Sequence, residues 1–214
     1  MDTTFSAAIF DLDGTLIESN SVWEKLDRII LSRRGLTCSD DFITELTAMS
    51  YEDAAAAMQN IGINISTEEF MTEINELAVK EYSTNIFLKD GAYEYLYHLK
   101  NSGKKIALAT ASPSELYTPA LEHNNVYSLF DAFVTTDEAG AGKDSPAVYL
   151  LAAHKLGIAP EKCAVFEDIP KGINSAKAAG MYAVGVYDKY SEKYMGEIQK
   201  SADRFIYSFN EMIP

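Results

Sequence analysis

Asp11 and Asp13 stand two residues apart at the end of an apolar run, Ala7 to Phe10, and Gly14 follows directly. In an extended chain this spacing lets both carboxylates project to the same side, and a glycine lets the backbone turn away sharply. Three further sets of chemically competent residues lie downstream: Thr110 with Ser112, Lys143 in "GAGKDSP", and the adjacent Glu167 and Asp168. Gathered in one place, they would set three or four carboxylates around one lysine and one or two hydroxyls. Carboxylates packed that closely repel, so a cation or a shared proton must offset them. A hard divalent ion with oxygen ligands is the economical answer, and Mg2+ typically takes one or two carboxylates, waters and a substrate phosphate. A lysine and a hydroxyl beside such an ion suit the equatorial oxygens of a phosphoryl group. One aspartate could then attack phosphorus while the other handles protons.

A parallel sheet would bring these residues together. The run at residues 7–10 reads as a strand buried on both faces. From residue 86 onward, "KIALATA" (105–111), "AFVTT" (132–136), "CAVFED" (163–168), "YAVGVYD" (182–188) and "RFIYS" (204–208) alternate with helical segments such as 92–101 and 146–155. Alternation of this kind gives βαβ units, and the carboxyl ends of their strands share the edge where ligands bind. Between the first strand and the others there is no strand candidate of weight. Val22, Leu26, Ile29 and Ile30 recur at helical spacing, and helical segments continue over 39–49, 52–60 and 67–82. The predicted architecture is α/β: a Rossmann-like parallel-sheet core flanked by helices, formed by residues 1–17 and 86–214, with a small all-α cap domain inserted at 18–85.

Composition narrows the partners. A formal net charge of −14 argues against a nucleic-acid or anionic-membrane surface. Cys38 and Cys163 lie far apart without metal-ligand spacing, so a reduced compartment is expected. No apolar run is long enough for a signal peptide or a membrane span, which makes a cytoplasmic monomer the default expectation. "GAGK" is no P-loop, because Asp137 would have to be its first glycine and Asp144 takes the Ser or Thr position. His98, His123 and His154 are scattered in or beside helices and read as structural.

"DLDGTL", "LATAS", "GKDSP" and "VFEDIPKGINSAKAAGM", in this order, resemble the haloacid dehalogenase superfamily, particularly its β-phosphoglucomutase-like branch with a helical cap. The resemblance implies roles position by position. Asp11 matches the nucleophile that forms an aspartyl-phosphate. Asp13 matches the general acid and base, which also lends a metal its backbone carbonyl. Thr110 matches the hydroxyl that holds the phosphoryl group, and Lys143 the lysine that offsets charge on nucleophile and phosphate. Asp168 matches the acidic Mg2+ ligand alongside Asp11, with Glu167 behind it, and backbone amides near Leu12, Asp13 and Ala111 would complete a phosphate cradle. Dehalogenase and phosphonatase branches lack an aspartate at the position of Asp13, so phosphoryl transfer is favoured. Mutases of this branch carry a hinge histidine and a cap arginine where Trp23 and Tyr51 stand here. The expectation is therefore a Mg2+-dependent phosphatase of small phosphomonoesters, with Trp23, Tyr51 and Ser112 as candidate substrate-lining residues. A phosphomutase is the alternative, and a non-catalytic phosphate-binding regulator the third reading.

Two positions depart from the family pattern. Lys143 is followed by Asp144 rather than proline, which would either weaken the lysine's field or cap the next helix. "LKDG" at 88–91 lacks the usual proline, a change expected to touch only the cap linker.

Overall fold

The structure, a computed structural model, describes residues 5–213. Their contacts separate into two compact units, one built from the chain up to Ser19 together with everything from Ile86 onward, the other from Asn20–Asn85.

The first unit holds a six-stranded parallel sheet among the described residues: β1 (Ala7–Phe10), β2 (Lys105–Thr110), β3 (Ala132–Thr135), β4 (Cys163–Glu167), β5 (Tyr182–Val186) and β6 (Arg204–Ile206). Their order in the sheet is β3-β2-β1-β4-β5-β6. Strand order reverses between β1 and β4, and the crevice outside the carboxyl ends at such a reversal is where open α/β sheets bind ligands. Register fixes what meets there. Phe10 pairs with Leu108 on one side and Phe166 on the other, so the residues after them, Asp11 and Glu167, emerge side by side.

The second unit contains four helices among the described residues, α1 (Val22–Arg33), α2 (Asp40–Thr47), α3 (Tyr51–Asn60) and α4 (Thr67–Thr84). The sheet unit supplies α5 (Ala92–Asn101), α6 (Ser114–His123), α7 (Thr136–Ala139), α8 (Ala147–Leu156), α9 (Pro170–Ala178) and α10 (Met195–Ser201).

Side-chain alternation along the strands divides the sheet core. Ala7 and Ile9 of β1 join Ala107, Ala109 and Val165 against Tyr149 and Ala152 of α8 and Ile173 and Ala176 of α9. The run of alanines keeps the sheet surface low, so these helices pack close. On the opposite face Phe10 and Phe166 stack with ring centroids 4.6 Å apart, and Tyr95 of α5 and Phe209 close over them. Truncating Phe10 to alanine would cost about 3–5 kcal/mol at such a fully buried position.

The chain segments that lead into and out of the helical unit pair with each other. Glu18 N–H donates to the Phe87 carbonyl and Lys89 N–H to that of Leu16, both at 2.9 Å, and Ile17 forms an antiparallel bridge to Leu88.

Local signals explain the helical unit. Leu26, Ile30 and Leu31 of α1 and Phe70, Ile74, Leu77 and Ala78 of α4 are buried at helical spacing. Ile29, expected on that face, is only half-buried, and the buried polar residue Asp27 takes a place beside Leu26. Ser39, Ser50 and Ser66 each accept a backbone N–H at a helix start, and Ser66 with Glu69 completes a reciprocal capping box. Among the described residues no helix is long and apolar enough to cross a membrane.

Candidate active site

Asp11 follows β1 and is held level with β4 by its N–H, which donates to the Phe166 carbonyl at 3.0 Å. Its carboxylate is buried and in contact with the Lys143 ammonium, which also reaches Glu167 Oε1 at 2.6 Å. Lys143 sits in the turn before α8, and Ser175 of α9 donates to its carbonyl at 2.8 Å, fixing the backbone that presents it. Glu167 Oε1 accepts a second bond from the Tyr149 hydroxyl at 2.7 Å, while Oε2 accepts the N–H groups of Asp168 and Ile169 at 3.2 and 3.4 Å. Both oxygens of Glu167 are thereby engaged by protein donors.

Asp168 is gripped on both oxygens by hydroxyls, Thr15 at 3.0 Å on Oδ1 and Ser191 at 2.9 Å on Oδ2. Thr15 also lies 3.1 Å from Asp11 Oδ2, so its single proton is shared between two carboxylates. Asp13 is set apart from that cluster: Ser19 donates to Oδ1 and Ser112 to Oδ2, each at 2.6 Å. Thr110 is buried at the end of β2, where its hydroxyl oxygen accepts the Ser112 N–H at 2.9 Å and keeps its own proton to donate. Leu12 and Ala111, beside Asp11 and Thr110 in the chain, are buried and exposed respectively.

The charges do not balance within the protein. Carboxylate oxygens of Asp11, Glu167 and Asp168 lie within 4.8 Å of one another, against the single ammonium of Lys143. Burial raises the Asp11 pKa well above the ordinary carboxylate range; Lys143 opposes that, and Glu167, Asp168 and Asp13 add to it. Burial, reinforced by Glu167, pushes Asp168 up to about 7. Lys143 behaves oppositely: burial alone would lower its pKa, but Asp11 and Glu167 outweigh burial and hold it above its ordinary value, firmly charged. An all-oxygen donor set with surplus negative charge suits a hard divalent cation.

The structure thus brings Asp11, Lys143, Glu167 and Asp168 into one cluster and joins Asp13 to Ser112 and, through Ser112, to Thr110. Trp23 and Tyr51 lie in the helical unit, where both line a cavity. Sequence reasoning gave no role to Thr15, Ser19, Ser191 or Tyr149. Thr15 had a signal, since it lies four residues after Asp11 inside the quoted motif; the others reach the site through loop or helix geometry that leaves no pattern. Gly172 was missed for the same reason. A Cβ there would lie 2.3 Å from Glu167 Cδ, so only glycine lets α9 approach that carboxylate.

Two expectations are corrected. Asp144 does not cap α8: the N-cap residue is Pro146, the Ala147 N–H is taken by Ser145 Oγ at 3.3 Å, and Asp144 itself is exposed. "LKDG" is more than a linker. Lys89 is buried and donates to Asp188 Oδ2 at 2.8 Å and to the Tyr187 carbonyl at 2.7 Å, within the same loop that supplies Ser191 to Asp168.

The sequence profile of the haloacid dehalogenase-like hydrolases matches residues 5–180. The chain belongs to this family. Among haloacid dehalogenase-like relatives, it is 29% identical over 197 residues to validoxylamine A 7'-phosphate phosphatase of Streptomyces hygroscopicus subsp. limoneus, covering 90% of this chain and 91% of that one. It is 30% identical over 176 residues to the phosphorylated carbohydrates phosphatase of Thermotoga maritima, covering 82% of each. A solved structure from Thermotoga maritima, provisionally assigned as a β-phosphoglucomutase, superposes with a TM-score of 0.82 at 27% identity, covering 94% of both chains. Haloacid dehalogenase-like hydrolases generally use a divalent metal, and the cluster of Asp11, Glu167 and Asp168 could bind one.

Proposed function

We propose that this hydrolase is a Mg2+-dependent phosphatase of small phosphomonoesters, working as a cytoplasmic monomer through a phosphorylated Asp11. The observation that carries the reading is the division of labour between two aspartates: Asp11 is buried against Lys143, while Asp13 is held apart by Ser19 and Ser112. A carboxylate pinned by an ammonium is oriented for attack, and that cation opposes the proton uptake that burial favours. A second carboxyl held by two hydroxyls is positioned to move one.

In the first step an Asp11 oxygen bonds to phosphorus as the bond to the leaving oxygen breaks. Asp13 gives its proton to that oxygen, and the alcohol departs. In the second step Asp13, now a carboxylate, takes a proton from water, whose oxygen bonds to phosphorus and frees Asp11 and inorganic phosphate. Lys143 offsets the charge on the phosphoryl oxygens, Thr110 donates its hydroxyl proton to one of them, and the amides of Leu12, Asp13 and Ala111 supply further donors. Asp11, Asp168 and the Asp13 carbonyl would hold Mg2+, which neutralises phosphate charge when bound. Glu167, whose oxygens are occupied by Lys143, Tyr149 and two backbone amides, orients the lysine instead.

Borohydride quenching of the enzyme during turnover tests this reading, because it reduces an aspartyl-phosphate to homoserine. Homoserine at position 11, located by peptide mass, is expected; its absence from a turning-over enzyme contradicts the covalent route. A phosphomutase is the second reading, favoured by the fold likeness to the provisional β-phosphoglucomutase. It requires interconversion of sugar phosphate isomers without net phosphate release, whereas Trp23 and Tyr51, where mutases carry histidine and arginine, favour transfer to water.

A further inference from the structure

A cavity of about 290 Å3 lies wholly within the helical unit, lined by aromatic, sulfur and aliphatic side chains together with Asp27 and Thr47. It has the size for a compact organic group. Trp23, Tyr51 and Phe70 give it three aromatic rings, and Tyr51 meets Phe70 edge to face with centroids 6.1 Å apart. Asp27, on α1, is 2% exposed, and its Oδ2 lies 2.6 Å from Thr47 Oγ1. That hydroxyl also lies 2.9 Å from the Ile43 carbonyl, and its one proton cannot serve both acceptors at once. Among the described residues that line the cavity, none is basic.

Among the described residues, this buried carboxyl facing the cavity has no ion-pair partner. Burial is the main reason that Asp27 is pushed up to about 6, with Thr47 opposing and Glu24 adding to the rise. An anionic ligand is excluded by the same charge, and a neutral one would leave it unmatched. Aromatic faces attract cations through the ring quadrupole. We propose that this cavity binds an organic ammonium group, set between the rings of Trp23, Tyr51 and Phe70 and the carboxylate of Asp27.

Trp23 is the single tryptophan of the chain, so intrinsic fluorescence reports on the cavity directly. The full-length protein is titrated with choline and, in parallel, with 3,3-dimethylbutan-1-ol, its uncharged carbon analogue, and with glycerol. The expected result is saturable quenching by choline at a dissociation constant at least tenfold below that of either neutral ligand, with the advantage abolished by Asp27→Asn. Tyr51→Leu, which removes a ring and no charge, should weaken choline several-fold and serves if Asp27→Asn fails to fold. Equal affinity for choline and its carbon analogue, or no saturable quenching by choline, overturns the assignment. Binding needs no turnover, so the two proposals separate. Choline binding by a protein that releases no phosphate from O-phosphocholine, O-phosphoethanolamine or p-nitrophenyl phosphate overturns the phosphatase reading alone. Release from p-nitrophenyl phosphate without choline binding overturns the cavity alone.

Discussion

The two units of this chain treat buried charge differently. At the end of the sheet, three carboxylates gather around one ammonium and a set of hydroxyl and backbone donors, so every oxygen of Asp11, Glu167 and Asp168 has a protein partner. In the helical unit the named ion pairs join Arg28 to Asp40, Lys25 to Glu81, and Arg33 and Arg34 to Glu73, and each includes at least one partly exposed partner. The one carboxylate lining the cavity there, Asp27, is answered by a lone threonine hydroxyl. The sheet end is organised to hold charge in fixed geometry before any ligand arrives. The helical cavity leaves a charge for a ligand to answer.

Substitutions in the two units should therefore differ in kind. The largest effect is expected for Lys143→Met, which leaves Asp11 and Glu167 without their shared cation. The rate of phosphate release should fall about 10³-fold or more, and stability by about 3–5 kcal/mol, read by steady-state kinetics and urea unfolding. Gly172→Ala comes next. In an ordinary helix interior the change would stabilise by roughly 1 kcal/mol, but here the new methyl meets Glu167, so kcat should drop while binding of Mg2+ by Asp11 and Asp168 changes less. An unchanged kcat would mean that Glu167 does not position Lys143. Ser191→Ala should act on the metal: about 10-fold weaker Mg2+ activation is expected from removing a donor behind a ligand, with kcat at saturating Mg2+ nearly restored.

The smallest effect falls in the helical unit and is one of stability against pH. Asp27 titrates near 6 in the folded protein and near the ordinary carboxylate value when unfolded, so the folded state binds its proton more tightly. Its ionisation therefore subtracts stability progressively as pH rises from about 4 to about 6, and the full penalty is present above that range. Asp27→Asn should raise neutral-pH stability by about 1–3 kcal/mol, with the gain fading toward pH 4. A gain that does not vary with pH would mean that the aspartate is not the buried, unanswered charge described here.

The same contrast governs how much could be read from the chain. Strand β1 and the residues after it were legible because a parallel sheet demands continuous apolar runs, and because strand ends converge whatever the intervening sequence. The helical block was legible as helices from its periodic apolar residues. Asp27 was not, since a carboxylate one position from Leu26 reads as the edge of a solvated face; only the packing of the helices around α1 buries it, with Thr47 of α2 on its carboxylate. Ser19, Ser191 and Lys89 escaped for a related reason. Each is an ordinary polar residue in a loop, and the loop path rather than residue type brings it to Asp13, Asp168 or Asp188. Asp144 misled because its neighbour Ser145 takes the backbone N–H that a capping aspartate would accept.

The most direct test of the account is inorganic phosphate release from a panel of small phosphomonoesters, with and without Mg2+, by the native protein and by Asp11→Asn. The account predicts metal-dependent release by the native protein and a loss of at least ~10⁴-fold in the variant, whose fold is retained because asparagine keeps the shape of Asp11. Release that persists in folded Asp11→Asn, or no release from any ester by native protein with Mg2+ bound, would contradict it.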